Sequence, residues 1–188
     1  MHFDLWETPK SEVKKLVEYD GRFLCCVNEE KVTPELIKMA FNTPDTKKRP
    51  KVSRLYGIRS NEKNLKELIK IDAIYYIYSQ CEDKKGELLK LALSQKDPEK
   101  ALTYDRIPEE FVFRLPYSRV KELIEIDKRW IKVTSISTLP KDVLISALKD
   151  DELHIVPEQS DISYFDNDIL DVLLENAKNG KYKLSDIV

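Results

Sequence analysis

The apolar pattern of the chain predicts an α+β fold. Five or six short apolar runs read as strands, amphipathic stretches between them read as helices, and the two types do not alternate in regular βαβ order. Thr8-Pro9 opens a first helix that places Val13, Leu16 and Val17 at helical spacing and stops at Asp20-Gly21. Arg22–Val27 (RFLCCV) reads as a compact strand. Thr33-Pro34 caps a second helix, with Leu36, Ile37, Ala40 and Phe41 on one face. Residues 42–50 (NTPDTKKRP) form a loop. Ser60-Asn61 caps a third helix with Leu65, Leu68 and Ile69 inward.

Ile71–Ser79 (IDAIYYIYS) is the most β-like stretch, and Glu87–Ser94 returns as its partner after a polar turn. Phe111–Tyr117 and Trp130–Ile136 read as further strands, flanking a helix that Ser118 caps and that carries Val120, Leu123 and Ile124. A helix led by Pro140 runs to Leu148, Leu153–Val156 is a short strand, and Asp166–Asn179 is a last amphipathic helix ending at Gly180. No internal repeat is expected, and Trp130 is assigned to the core.

A length of 188 residues fits one domain, with residues 1–20 as a helical lead and 22–177 as the core, cut from a longer chain. Four glycines build neither a phosphate-binding loop nor a dinucleotide fingerprint. Two histidines and three cysteines without a Cys-x-x-Cys pair give no metal-ligand spacing, and the cysteines read as reduced core thiols. The sequence therefore predicts no cofactor, no metal and no catalytic residue. The start of the chain has no basic and apolar leader, and no apolar run approaches the ~18 residues that cross a bilayer, so a cytoplasmic location is expected. Abundant Lys and Glu beside three Gln suggest a heat-adapted host.

Charge is distributed unevenly. Between Thr46 and Lys70, nine basic residues face only Glu62 and Glu67, leaving +7. Between Asp150 and Val188, ten acidic residues face Lys178, Lys181 and Lys183, leaving −7. Such a split suggests a basic face for a polyanion, against the plainer alternative of two solvated surfaces that neutralise each other. Lys47, Lys48, Arg49, Lys51, Arg54 and Arg59 are the candidate phosphate contacts.

Two enzymatic readings are weaker. Pro44-Asp45 with Asp83-x-Lys85 superficially matches the spaced motif of Mg²⁺-dependent nucleases, but both acids fall in loops rather than on strands. His154 is the only internal histidine and reads as a partly buried structural residue on its strand.

Leu55–Ser79 (LYGIRSNEKNLKELIKIDAIYYIYS) resembles the EVE domain of the PUA-like superfamily, which also holds YTH and ASCH domains. Tyr56-Gly57-Ile58-Arg59 matches the aromatic-Gly-(Val/Ile)-basic turn, Leu65 through Asp72 the following helix, and Ala73–Ser79 the apolar strand. Gly86–Ser94, Phe111–Leu115 and residues 151–174 resemble later elements of that family. The chain departs from it at Tyr56, where tryptophan is usual, and at Ile71, where glycine is usual.

The resemblance implies a small PUA-like β-barrel of five or six strands. It also implies a base pocket formed by Tyr56, Ile58, Tyr76 and Ser79, into which a modified base would be flipped. The partner it implies is DNA, methylated or not, with RNA as the alternative. The chain is further similar to the N-terminal targeting module of archaeal McrB-type restriction subunits, which implies a GTP-driven motor in the same chain and a nuclease subunit beside it.

Overall fold

A computed structural model describes residues 5, 7–51, 55, 58, 61–79, 81, 83, 85–107, 114–157 and 159–181. Its helices are α1 (Lys10–Tyr19), α2 (Pro34–Phe41), α3 (Glu62–Ile71), α4 (Glu87–Leu93), α5 (Tyr117–Ile126), α6 (Lys141–Lys149), α7 (Gln159–Ile162) and α8 (Asn167–Lys178). Among the described residues there is no strand, and the β pairing is an isolated parallel bridge between Leu115 and Thr134. The α+β class and the five- or six-stranded barrel are thus corrected to a helical fold. The chain falls into two compact units, Met1–Arg106 and Ile107–Val188, where the sequence suggested one core over 22–177.

The physical reason lies in the runs read as strands. Three of them form 3₁₀ segments, Gly21–Cys26, Ala73–Tyr76 and Lys128–Val133. Their amides bond locally, as in Phe23 N to Asp20 O (3.0 Å) and Val27 N to Leu24 O (3.3 Å), instead of to a neighbouring strand. Glu87–Leu93 is α-helical, burying Leu88, Leu89 and Ala92 at helical spacing. Leu153–Val156 forms no strand either: His154 has φ 47° and is exposed, not partly buried as expected. Residues 111–113 of the remaining expected strand lie outside the described residues.

Nor is the chain free of repeats. A helix–Asp–3₁₀ unit occurs three times without a gap. Pro9, Asn61 and Pro116 are the N-caps, and eleven residues after each stands an aspartate, Asp20, Asp72 or Asp127. Each aspartate is extended, at φ −150°, −155° and −146°, which ends its helix. Its amide still donates to the carbonyl four residues back (Leu16, Leu68 or Leu123, 2.8–2.9 Å). Its carboxylate accepts the amide two residues on (Arg22, Ile74 or Arg129, 2.9–3.0 Å) and so caps the 3₁₀ segment. One residue thus closes one helix and opens the next turn.

The hydrogen bonds after the aspartate also superpose. Phe23, Tyr75 and Trp130 donate their amides to the aspartate carbonyls at 3.0, 3.2 and 3.1 Å. Val27, Ser79 and Thr134 donate theirs to Leu24, Tyr76 and Ile131. Val13, Leu65 and Val120 hold one position in the three helices, and all are fully buried. After a short connection each unit continues into a second helix, α2, α4 or α6.

Each carboxylate also holds an arginine. Arg22 and Arg129, two residues downstream, reach back to Asp20 and Asp127 through Nε and Nη2. In the second copy that position is Ile74, and Arg106 supplies the guanidinium instead, at 2.9 and 2.7 Å from the two Asp72 oxygens. The hydrogen bonds from Arg22 and Arg129 hold Asp20 and Asp127 below the usual carboxylate range, against the opposing effect of their partial burial. A depressed carboxylate stabilises the fold above its unfolded pKa, near 4, and that contribution is lost as pH falls through the folded value. Thermal melts should therefore show no loss from these groups between pH 7 and about pH 5, and a progressive loss below about pH 4 that Asp20→Asn with Asp127→Asn reduces. An unchanged acid limb in the double variant would contradict a stabilising aspartate–arginine latch.

Within the first unit, α1 packs on α2, α2 on α3, and α3 on α4. The buried Asn64 Nδ2 of α3 donates to Val32 O ahead of α2. Within the second unit, Leu144 and Leu148 of α6 pack against Ile169, Val172 and Leu173 of α8. Asn176 Nδ2 and Lys181 Nζ both donate to Leu148 O, closing the C-terminal end of α6. Trp130 is 1% exposed, in keeping with its core assignment.

Candidate nucleic-acid interface

The basic loop follows α2 and is tied back to it. Thr43 Oγ1 donates to Ala40 O (3.0 Å), and Arg49 Nε donates to Thr43 O (3.2 Å). Asp45 Oδ1 accepts the Lys47 amide at 3.0 Å, capping a 3₁₀ turn over Thr46–Lys48. The side chains of Thr43, Asp45 and Arg49 thus fold the loop against its own backbone, which leaves Lys47 and Lys51 at the surface. Lys47, Arg49 and Lys51 are exposed and Lys48 is half-buried, its Nζ 4.9 Å from the centroid of the Tyr19 ring.

Ion pairing divides the basic stretch in two. Lys66 pairs with Glu62 at 2.7 Å and Glu87 at 3.2 Å, and Lys70 pairs with Glu67 at 2.7 Å. Lys38 adds to Glu67 at 3.3 Å. By contrast, no carboxylate among the described residues forms an ion pair with Lys47, Lys48, Arg49 or Lys51. Within this stretch the cations without a carboxylate partner among the described residues are therefore the four of the loop and Lys63 at the start of α3.

The acidic stretch is partly neutralised in the same way. Lys128 bridges Asp150 and Glu152, Lys181 meets Asp151, and Lys141 meets Asp166 and Asp168.

Of the other residues expected at the site, Arg54, Tyr56 and Arg59 lie outside the described residues. Ile58, Tyr76 and Ser79 are 3%, 1% and 6% exposed. Tyr76 lies in a 3₁₀ turn rather than on a strand, and it presents no open ring face for a base. Tyr75 beside it stacks edge-on against Phe41, with centroids 5.9 Å apart.

The two nuclease-like acids are occupied with backbone. Asp45 caps the loop, and Asp83 accepts the amides of Leu88 (3.2 Å) and Leu89 (2.9 Å) at the start of α4. No group of three or more His, Cys, Asp or Glu among the described residues is arranged to hold a metal ion. No described helix is long and apolar enough to cross a membrane. Cys25, Cys26 and Cys81 form no disulfide among the described residues and are half-buried where core positions were expected.

Tyr19 was not among the expected site residues. It is the last residue of α1 and 73% exposed. Its signal in the sequence is an aromatic placed away from the inward positions Val13 and Val17 of an amphipathic helix. No family model, curated protein or solved structure matches the chain.

Proposed function

We propose that the chain is a non-catalytic binding module that holds nucleic acid by its phosphates through Lys47, Lys48, Arg49 and Lys51. The observation that supports this is their lack of carboxylate partners among the described residues, on a loop folded by its own caps. In water such cations are hydrated and cost little to display. Against a polyanion they release condensed counterions, which is the main source of sequence-independent affinity. Arg54 and Arg59 extend the same charge along the sequence. The modified-base pocket and the motor and nuclease partners implied by the EVE resemblance depend on a barrel, so the proposal stops at the nucleic-acid backbone, DNA or RNA.

Binding of labelled oligonucleotides across a salt series tests this. Four phosphate contacts give a slope of log K against log[salt] of about −3 to −4. The strand should stay intact on incubation with Mg²⁺. Affinity that is absent at low salt, or independent of salt, would contradict the proposal.

A further inference from the structure

We propose that the nucleic acid held by this loop is single-stranded, with Tyr19 as the platform on which one base stacks. The inference rests on the phosphate-binding reading above and adds the class of strand. Tyr19 contributes little to the core, being 73% exposed at the end of α1. The next residue, Asp20, ends α1 and is clamped by the Arg22 guanidinium, with which it shares three hydrogen bonds. Lys48 of the basic turn sits against the ring at 4.9 Å, which places the exposed aromatic within the cationic loop. Arg22 is paired with Asp20, so Lys48 is the cation that the structure places at the ring.

An exposed ring set among cations that track a backbone is the arrangement by which single strands are held without sequence readout. Unstacked bases have free π faces, whereas in a duplex those faces are covered by neighbouring pairs. The phosphates would engage Lys47, Arg49 and Lys51 while a base lies on the Tyr19 ring. DNA and RNA strands share this chemistry, and comparison of the two identifies the source.

The test measures wild type, Tyr19→Ala and Tyr19→Phe against single-stranded DNA, single-stranded RNA and duplex DNA of one sequence, each across a salt series. The expected result is tighter binding of at least one single strand than of the duplex. Tyr19→Ala should weaken that strand about 5- to 100-fold and the duplex less than about twofold, with Tyr19→Phe close to wild type. Equal, salt-dependent binding of all three ligands with no effect of Tyr19→Ala would overturn the stacking platform and leave the phosphate reading standing. Absence of salt-dependent binding to every ligand would overturn both. Because Tyr19 is exposed, the variants should melt with wild type, so a loss of binding reports the contact itself.

Discussion

Gly21→Ala should lower the melting temperature of the first unit by about 10–20 °C, the largest effect expected of any single methyl group there. A Cβ at Gly21 would lie 2.4 Å from the carbonyl oxygen of Ala40 and 3.0 Å from its carbonyl carbon and Cα. These are backbone atoms near the end of α2, and the oxygen already accepts the Thr43 hydroxyl at 3.0 Å, so it is not free to swing aside. Relief requires moving α2 off the α1–3₁₀ corner, at about 3 kcal/mol, the upper part of the range for overpacking. The other two copies of the unit carry Ala73 and Lys128 at this position, so the requirement for glycine comes from the approach of α2 and not from the aspartate cap. Hydrogen exchange should show lost protection in α1 and α2. Wild-type melting of Gly21→Ala would mean that α2 does not close on this corner.

Asp72→Ala should be the most destabilising of the three aspartate replacements. Arg106 and Asp72 are each about 25% exposed, against 43% for Arg129 and 61% for Arg22. Removing Asp72 leaves a partly buried arginine whose remaining partner among the described residues is Ala101 O, and it uncaps Ile74 N. A fully buried pair broken in this way costs about 3–5 kcal/mol, and the remaining exposure brings the figure here to about 2–3 kcal/mol. The cost should rank Asp72 above Asp127 above Asp20, because the orphaned arginine is progressively better hydrated. In a double-mutant cycle, Asp72→Ala with Arg106→Met should cost less than the two single changes together. Strict additivity, or the reverse ranking, would contradict the latch.

The helices were legible in the sequence because their ends carry chemistry. Thr33-Pro34 and Asn61 mark the starts of α2 and α3, and Asp166 with Gly180 brackets α8. The apolar runs were not legible in the same way. RFLCCV, AIYY and KRWIKV are too short to show a period, and β-branched and aromatic residues favour strands only where a partner strand exists. What decides these segments is the preceding aspartate, whose carboxylate captures the next amides before any cross-strand pairing.

The repeat is faint in the sequence for a related reason. Lys14, Leu16 and Asp20 recur as Lys66, Leu68 and Asp72, and as Lys121, Leu123 and Asp127, while the apolar positions that follow vary among Phe, Tyr, Trp, Leu and Ile. At the candidate site, sequence showed where the positive charge lies. Helical spacing also gives the Glu62–Lys66 and Glu67–Lys70 pairs of α3, but it could not show that Glu87 and Lys38 join them from other helices.

The most direct measurement compares two charge-matched triple variants in one nucleic-acid salt titration. The first neutralises the loop (Lys47→Gln, Lys48→Gln, Lys51→Gln). The second neutralises three lysines of α3 (Lys63→Gln, Lys66→Gln, Lys70→Gln). Both remove the same net charge, so a general electrostatic attraction would treat them alike. The account predicts that the loop variant binds more weakly on every sequence and loses about 2 to 3 units of salt slope, while the α3 variant keeps a slope within about one unit of wild type. Equal losses in the two variants, or an unchanged slope in the loop variant, would contradict it.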